Sequence, residues 1–213
     1  RELLHQITVS VIFHVNRLYT DSPPGKDEIN NLVDREIHST IFKITNMNIY
    51  PAKRVKYFFT GLLSKINALG LVSPFFLESH LSREIFPWEY PFTLAHEKSH
   101  LYGYTHETEA NYLAFLSCFY SENDYHKLSA YMEILPYFLV EYKRRSGNNE
   151  YKKIVSAIDD DVINELKRQK KRYLEYKNKF TDFLWDIYDL YLKSNKVEEG
   201  NISYSRIVLY ILS

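Results

Sequence analysis

His96-Glu97-Lys98-Ser99-His100 spells HExxH, and this stretch does more than any other to narrow what the chain can fold into. Residues four apart share one face of an α-helix, so His96 and His100 present two imidazoles to one point. Two histidines on one helical turn are a zinc-binding arrangement, and the glutamate between them can act on a water at the metal. A catalytic zinc takes three protein ligands and keeps one open position. The third ligand is therefore expected from the turn or the helix that follows Gly103.

Three residues compete for that place. His106 completes a literal HExxHxxGxxH, the metzincin spelling. Metzincins also need a methionine turn, and neither Met47 nor Met132 lies in an obvious turn of that kind. Glu107 opens Glu-x-x-Ala-Asn. On a helix, Glu107, Ala110, Asn111, Ala114 and Cys118 share one face, mostly of small residues, that can approach the HExxH helix closely. Antiparallel packing brings Glu107 to His100 and puts Asn111 one turn deeper, near His96. There Asn111 can hydrogen-bond the ligand and set its tautomer. Glu109 points away from this face. Glu107 is the expected ligand, with His106 and Glu109 as alternatives. Glu97 is the expected general base and later proton donor to the leaving amine. Tyr102, Tyr104 and His106 are the nearby groups able to stabilise an oxyanion, and spacing does not choose among them.

An isolated HExxH also arises by chance in helices rich in histidine and glutamate. The glycine turn and the Glu-x-x-Ala-Asn that follow are what single this one out.

Pro91 suits a first helical turn, and Gly103 suits a helix end. Phe92, Ala95 and Ser99 give the active-site helix a packing side. Thr105 can cap the next helix. Upstream, Leu3, Leu4, Ile7, Val11, Val15 and Leu18 predict a helix, which Asp21-Ser22-Pro23-Pro24-Gly25 breaks. Ile29, Leu32, Val33, Ile37 and Ile41 predict a second. Val55, Phe58, Phe59, Leu62, Ile66 and Leu69 predict a third, with Gly70 at its end. One or two short strands are expected within Leu71–Phe86. A strand in this position can pair with an extended substrate. Downstream, helices are expected over Tyr125–Arg145 with a kink or break at Pro136, over Lys152–Ile158, over Val162–Lys193 and over Ser203–Leu212. Leu166, Tyr173, Phe180, Leu184, Ile187 and Tyr191 are expected to face inward. The basic run Lys167–Arg172 is expected to be a solvated helix face.

The fold class expected is mainly α (α+β). It is a zincin-like helical domain with a short β-hairpin or edge strand before the HExxH helix. Residues 1–213 form one domain, whose helical C-terminal part begins near residue 125. The 19 tyrosines and 13 phenylalanines are read as packing between helices. Lysine plus arginine and aspartate plus glutamate both number 27, so net charge is zero and gives no electrostatic case for a nucleic-acid partner. Cys118 is the only cysteine, which excludes an intramolecular disulfide. The chain opens on Arg1, which predicts a fragment of a longer protein.

Three blocks carry a resemblance: Pro91-Phe92-Thr93-Leu94-Ala95-His96-Glu97, His100-Leu101-Tyr102-Gly103, and the run from Glu107 to Leu116. Together they resemble a bacterial membrane-anchored family, domain of unknown function 3810, similar in pattern to gluzincin-type zinc peptidases. Asn16-Arg17-Leu18-Tyr19 with Pro23-Pro24 resembles the family's segment after its membrane helices. Asp189–Asn195 and Ser203–Val208 resemble its C-terminal motifs. The likeness implies Zn2+ as cofactor, a peptide or protein substrate, and membrane attachment through an N-terminal segment outside this chain. Such proteins usually lack a histidine at the place of His106, which favours Glu107. Lys98 and Ser99 depart from the small or apolar residues common inside HExxH, and Lys98 is expected to point to solvent. Two other functions stay open: a non-catalytic protein-binding or regulatory module on the same fold, and a zinc amidase acting on cell-wall peptide.

Overall fold

The computed structural model describes residues 1–49, 55–57, 69–73, 76–176 and residue 211. The fold is mainly helical with one small mixed sheet. Helix α1 (Glu2–Leu18) buries Leu4, Thr8, Val11, Ile12, Val15 and Leu18. Helix α2 (Lys26–Thr45) buries Ile29, Val33, Ile37 and Ile41, a strict four-residue repeat, and ends on Asn46 in the left-handed conformation. Both follow the apolar spacing of the sequence.

The sheet holds β1 (Val55–Tyr57), β2 (Gly70–Ser73) and β3 (Glu78–Leu81) in the order β1-β3-β2. Strand β3 pairs parallel with β1 and antiparallel with β2. The strands expected within Leu71–Phe86 are thus present. The third helix expected from Val55 is corrected at both ends: Val55–Tyr57 is a strand, and Gly70 opens a strand instead of closing a helix. Short apolar runs carry too little periodicity to separate the two states. The positions between, Phe58, Phe59, Leu62 and Ile66, lie outside the described residues.

A 3-10 turn at Pro87–Glu89 leads into α3 (Tyr90–Leu101), the HExxH helix. Helix α3 packs against α2, against β2 and β3, and against two further helices, α4 (Glu107–Phe119) and α5 (Asp124–Ser146). Tyr90 to Ala95 and Glu97 to Ser99 are all buried. A helix covered nearly all round lies in the core of its domain, which is where α3 sits. Its position is pinned by polar contacts. The Phe92 N–H donates to Ser129 Oγ of α5 at 3.1 Å, and the Tyr90 hydroxyl donates to Asn30 Oδ1 of α2 at 2.7 Å.

Helix α5 runs through Pro136 without a break. Its first turn is capped by Asn123, whose side chain accepts from the N–H groups of Tyr125 and His126. Helices α6 (Asn148–Val155) and α7 (Asp160–Tyr176) follow. Asn16 ties their connection to α1: its amide donates to the Ala157 carbonyl at 2.8 Å and accepts from the Asp159 N–H at 3.1 Å.

Helix α7 seats through a polar stripe. Trp88 Nε1 donates to Glu165, Gln169 donates to Glu89, and Arg172 makes two 2.6 Å bonds to the fully buried Glu89 carboxylate. The Arg168 and Arg172 guanidiniums lie 4.8 and 4.5 Å from the Phe86 ring centre. Arg172 is therefore not part of a solvated basic face, although Lys167, Lys170 and Lys171 are exposed. Tyr173, expected inward, is half exposed, because Glu165, Gln169 and Arg172 hold the seated face. Phe180, Leu184, Ile187, Tyr191 and the expected helix over Ser203–Leu212 lie outside the described residues, apart from residue 211. No helix among the described residues is long and apolar enough to cross a membrane.

Arg172→Ala strands the Glu89 carboxylate in the interior. Removing one partner of a buried ion pair costs about 3–5 kcal/mol. Urea unfolding is expected to show that loss, and Arg172→Lys to recover only part of it, because an ammonium cannot make the two-pronged contact.

Candidate metal centre

Helix geometry stacks His96 and His100 one turn apart on α3, and their Nε2 atoms lie 3.2 Å from each other. The turn after α3 is closed by Gly103 at φ +94°, a conformation that favours glycine. The chain then re-enters helix at α4, whose first residue is Glu107. Ala110, Ala114 and Cys118 are fully buried on α4, and this small-residue face lets α4 lie close along α3. The Glu107 carboxylate consequently reaches both imidazoles. One oxygen is 3.2 Å from His96 Nε2 and the other 3.7 Å from His100 Nε2.

His96, His100 and Glu107 form the one group of three such donors, among the described residues, placed to hold a metal ion. His106 occupies the N-cap position of α4 without a side-chain capping bond and is exposed; Glu109 is exposed as well. Neither joins the group. Thr105 does not take the capping position expected of it, since α4 begins immediately after His106.

The neighbours set the protonation of the pair. His100 Nδ1 lies 2.6 Å from the Tyr104 carbonyl oxygen. A carbonyl only accepts, so Nδ1 carries the proton, and the neutral ring turns the lone pair of Nε2 towards the centre. Burial holds His100 below the usual histidine range, and the His96 charge adds to that. For His96, burial acts downward but is outweighed by the hydrogen bond to Glu107, the charges of Glu97 and Glu107, and Asn111, so the net shift is upward. Asn111 is 6 % exposed and sits one turn after Glu107, as expected from its spacing. Its contact with His96 falls outside strict hydrogen-bond geometry, since Asn111 Nδ2 and His96 Nδ1 are buried without a partner that meets it.

Glu97 is 6 % exposed, and burial pushes its carboxyl up to about 7, with the Glu107 charge adding to the rise and His96 opposing it. A buried carboxyl poised near neutrality is suited to taking and returning a proton.

Two side chains differ from expectation. Lys98 is 1 % exposed, not directed to solvent, and its ammonium lies 2.5 Å from Asp34 Oδ1 of α2. The pair is an ionic contact without good hydrogen-bond angles. Because α3 is enclosed on nearly every side, a lysine two residues after His96 must meet α2, and Asp34 supplies the counter-charge. Tyr102 and Tyr104 pack their rings against Ile37, Ile41 and Leu113. Tyr104 contributes to the centre through its backbone, a role that residue identities alone do not reveal. Cys118 is buried, and its thiol is pushed well up by that burial.

The family described as Protein of unknown function (DUF3810) matches residues 1–212. The chain belongs to this family. No curated protein and no solved structure matches it. The DUF3810 description carries no activity.

The raised Glu97 carboxyl has a consequence for metal-free protein. The native state keeps a proton that the unfolded chain, at its ordinary 4.5, has already released. Native stability therefore falls as pH rises from about 4.5 to about 7, by on the order of 3 kcal/mol. In chelator-treated protein Glu97→Gln should melt above wild type at pH 8, and the difference should shrink towards pH 5. Parallel melting curves across that range would contradict this picture of Glu97.

Proposed function

We propose that this DUF3810 protein is a zinc-dependent peptidase of the gluzincin pattern, with His96, His100 and Glu107 as metal ligands and Glu97 as general base. The observation that carries the reading is the convergence of two imidazole nitrogens and one carboxylate at 3.2, 3.2 and 3.7 Å. Zinc–nitrogen bonds of about 2.0–2.1 Å at tetrahedral angles separate two ligand atoms by about 3.3 Å. Two histidines and one glutamate are also a donor set that catalytic zinc takes, with a fourth position left open. Bound zinc supplies Lewis acidity, which makes a water acidic near neutral pH and polarises a scissile carbonyl.

The chain's own residues do the rest. Glu107 neutralises charge and closes the ligand set from α4. The Tyr104 carbonyl holds the His100 ring in the tautomer that leaves Nε2 free, and Asn111 stands beside His96 for the corresponding task. Glu97 accepts the proton of the attacking water and passes it to the leaving amine. Burial keeps this carboxyl basic enough to accept that proton. Strand β2 lies beside α3, and among the described residues only β3 pairs with it. Its outer edge suits an extended peptide substrate, held by backbone hydrogen bonds. Attachment to a membrane through a segment outside this chain belongs to the same reading.

Purified protein should carry about one zinc per chain. Glu97→Gln should keep that zinc while losing cleavage of an unbiased peptide library read by mass spectrometry, by about a hundredfold or more. His100→Ala should lose both. Zinc-loaded wild type that cuts nothing in the library would favour the protein-binding module, and wild type that cuts only cell-wall peptides would favour the amidase.

A further inference from the structure

Gly70, the first residue of β2, lies directly against Glu97. A Cβ built on Gly70 would stand 2.3 Å from Glu97 Oε1 and 2.6 Å from both Cδ and Cγ. Real Cβ atoms essentially never sit that close to another heavy atom. Backbone conformation is not what calls for glycine here. Among the described glycines, positive φ occurs at Gly103 and Gly147, and a Cβ at either of those would meet nothing within 4 Å. At Gly70 the requirement is room for the Glu97 side chain.

Both partners are held at their backbones. Strand β2 is held by its register with β3, in which Gly70 faces Leu81, and by the Ser82 N–H donating to the Leu69 carbonyl at 2.8 Å. Leu81 is fully buried. Glu97 stands on a helix whose flanking residues Ala95, Lys98 and Ser99 are buried as well. The Glu97 chain from Cγ to the carboxyl therefore lies where a side chain at position 70 would stand, beside the bare backbone of Gly70.

We propose that Gly70 is a positioning residue for Glu97: the side chain it lacks is the slot that holds the Glu97 carboxyl at the metal centre. Gly70 acts through Glu97 and touches no reacting atom. For catalysis the inference rests on the reading of Glu97 as general base, but the slot itself can be tested without any substrate. Position matters steeply for such a group, since a displacement of about 1 Å can cost about a hundredfold in rate.

The test is a stability cycle on the zinc-loaded full chain with Gly70→Ala, Glu97→Ala and the double variant. Replacing a strand glycine by alanine ordinarily stabilises or changes little. Here Gly70→Ala should lower Tm by several degrees in wild type and should not do so in the Glu97→Ala background, where Cγ, Cδ and Oε1 are gone. Zinc content should stay at one per chain in Gly70→Ala. If wild type cleaves peptide, Gly70→Ala should lower kcat about a hundredfold with KM little changed. An equal Tm loss in both backgrounds, or Gly70→Ala with full kcat, overturns the proposal. Should Gly70→Ala alone fail to fold, folding of the double variant supports the slot and its failure refutes it. Coupling without any wild-type cleavage would leave the slot standing and remove the peptidase reading instead.

Discussion

Everything in this structure turns on the packing of one enclosed helix against another that opens with an acid. Helix α3 carries two imidazoles on one turn, and α4 lays a small-residue face of Ala110, Ala114 and Cys118 close beside it. Larger residues at these positions would hold the helices apart and take the Glu107 carboxylate out of reach. With them small, one negative charge and two nitrogen lone pairs gather within 3.7 Å in a partly buried place. Such a set is unfavourable without a positive charge at its centre. His96 is shifted upward, where the hydrogen bond to Glu107 and the nearby carboxylates outweigh burial, and His100 downward, by burial and the His96 charge.

The scaffold around this pair is unusually polar for a core. Asp34 meets Lys98, Asn30 meets Tyr90, and Glu36 takes His126 Nδ1 at 2.5 Å and the Ser121 hydroxyl. All three acceptors come from α2, which therefore binds α3, α5 and the segment that joins α4 to α5. Arg172 of α7 closes on Glu89 at the foot of α3. Directed contacts of this sort lock orientation more than they add stability, since burying charge carries a desolvation cost that a pair only offsets. That suits a centre where ligand directions matter more than a kcal/mol either way.

What the sequence disclosed were the local features. HExxH, the glycine at Gly103, and the face shared by Glu107 and Asn111 all follow from helical spacing within about fifteen residues, and a helix obeys that spacing wherever it lies. Apolar repeats located α1 and α2 for the same reason. Contacts made across the fold stayed hidden. From sequence, Lys98 points to solvent because nothing nearby names Asp34 as its partner, and Tyr104 is a side-chain candidate when its carbonyl is what matters. Val55–Tyr57 is a strand because Ser79 to Leu81 lie beside it, which its own three residues do not reveal. Gly70 read as a helix stop, the ordinary meaning of a glycine after an apolar run, when its place is fixed by a carboxylate 27 positions on.

Anomalous diffraction at the zinc edge, from crystals of protein purified without added metal, addresses the centre most directly. A single strong peak about 2.0–2.2 Å from His96 Nε2, His100 Nε2 and a Glu107 oxygen is the expected result. A map with no peak between those three side chains, or with its peak on His106 or Glu109 instead, would contradict it.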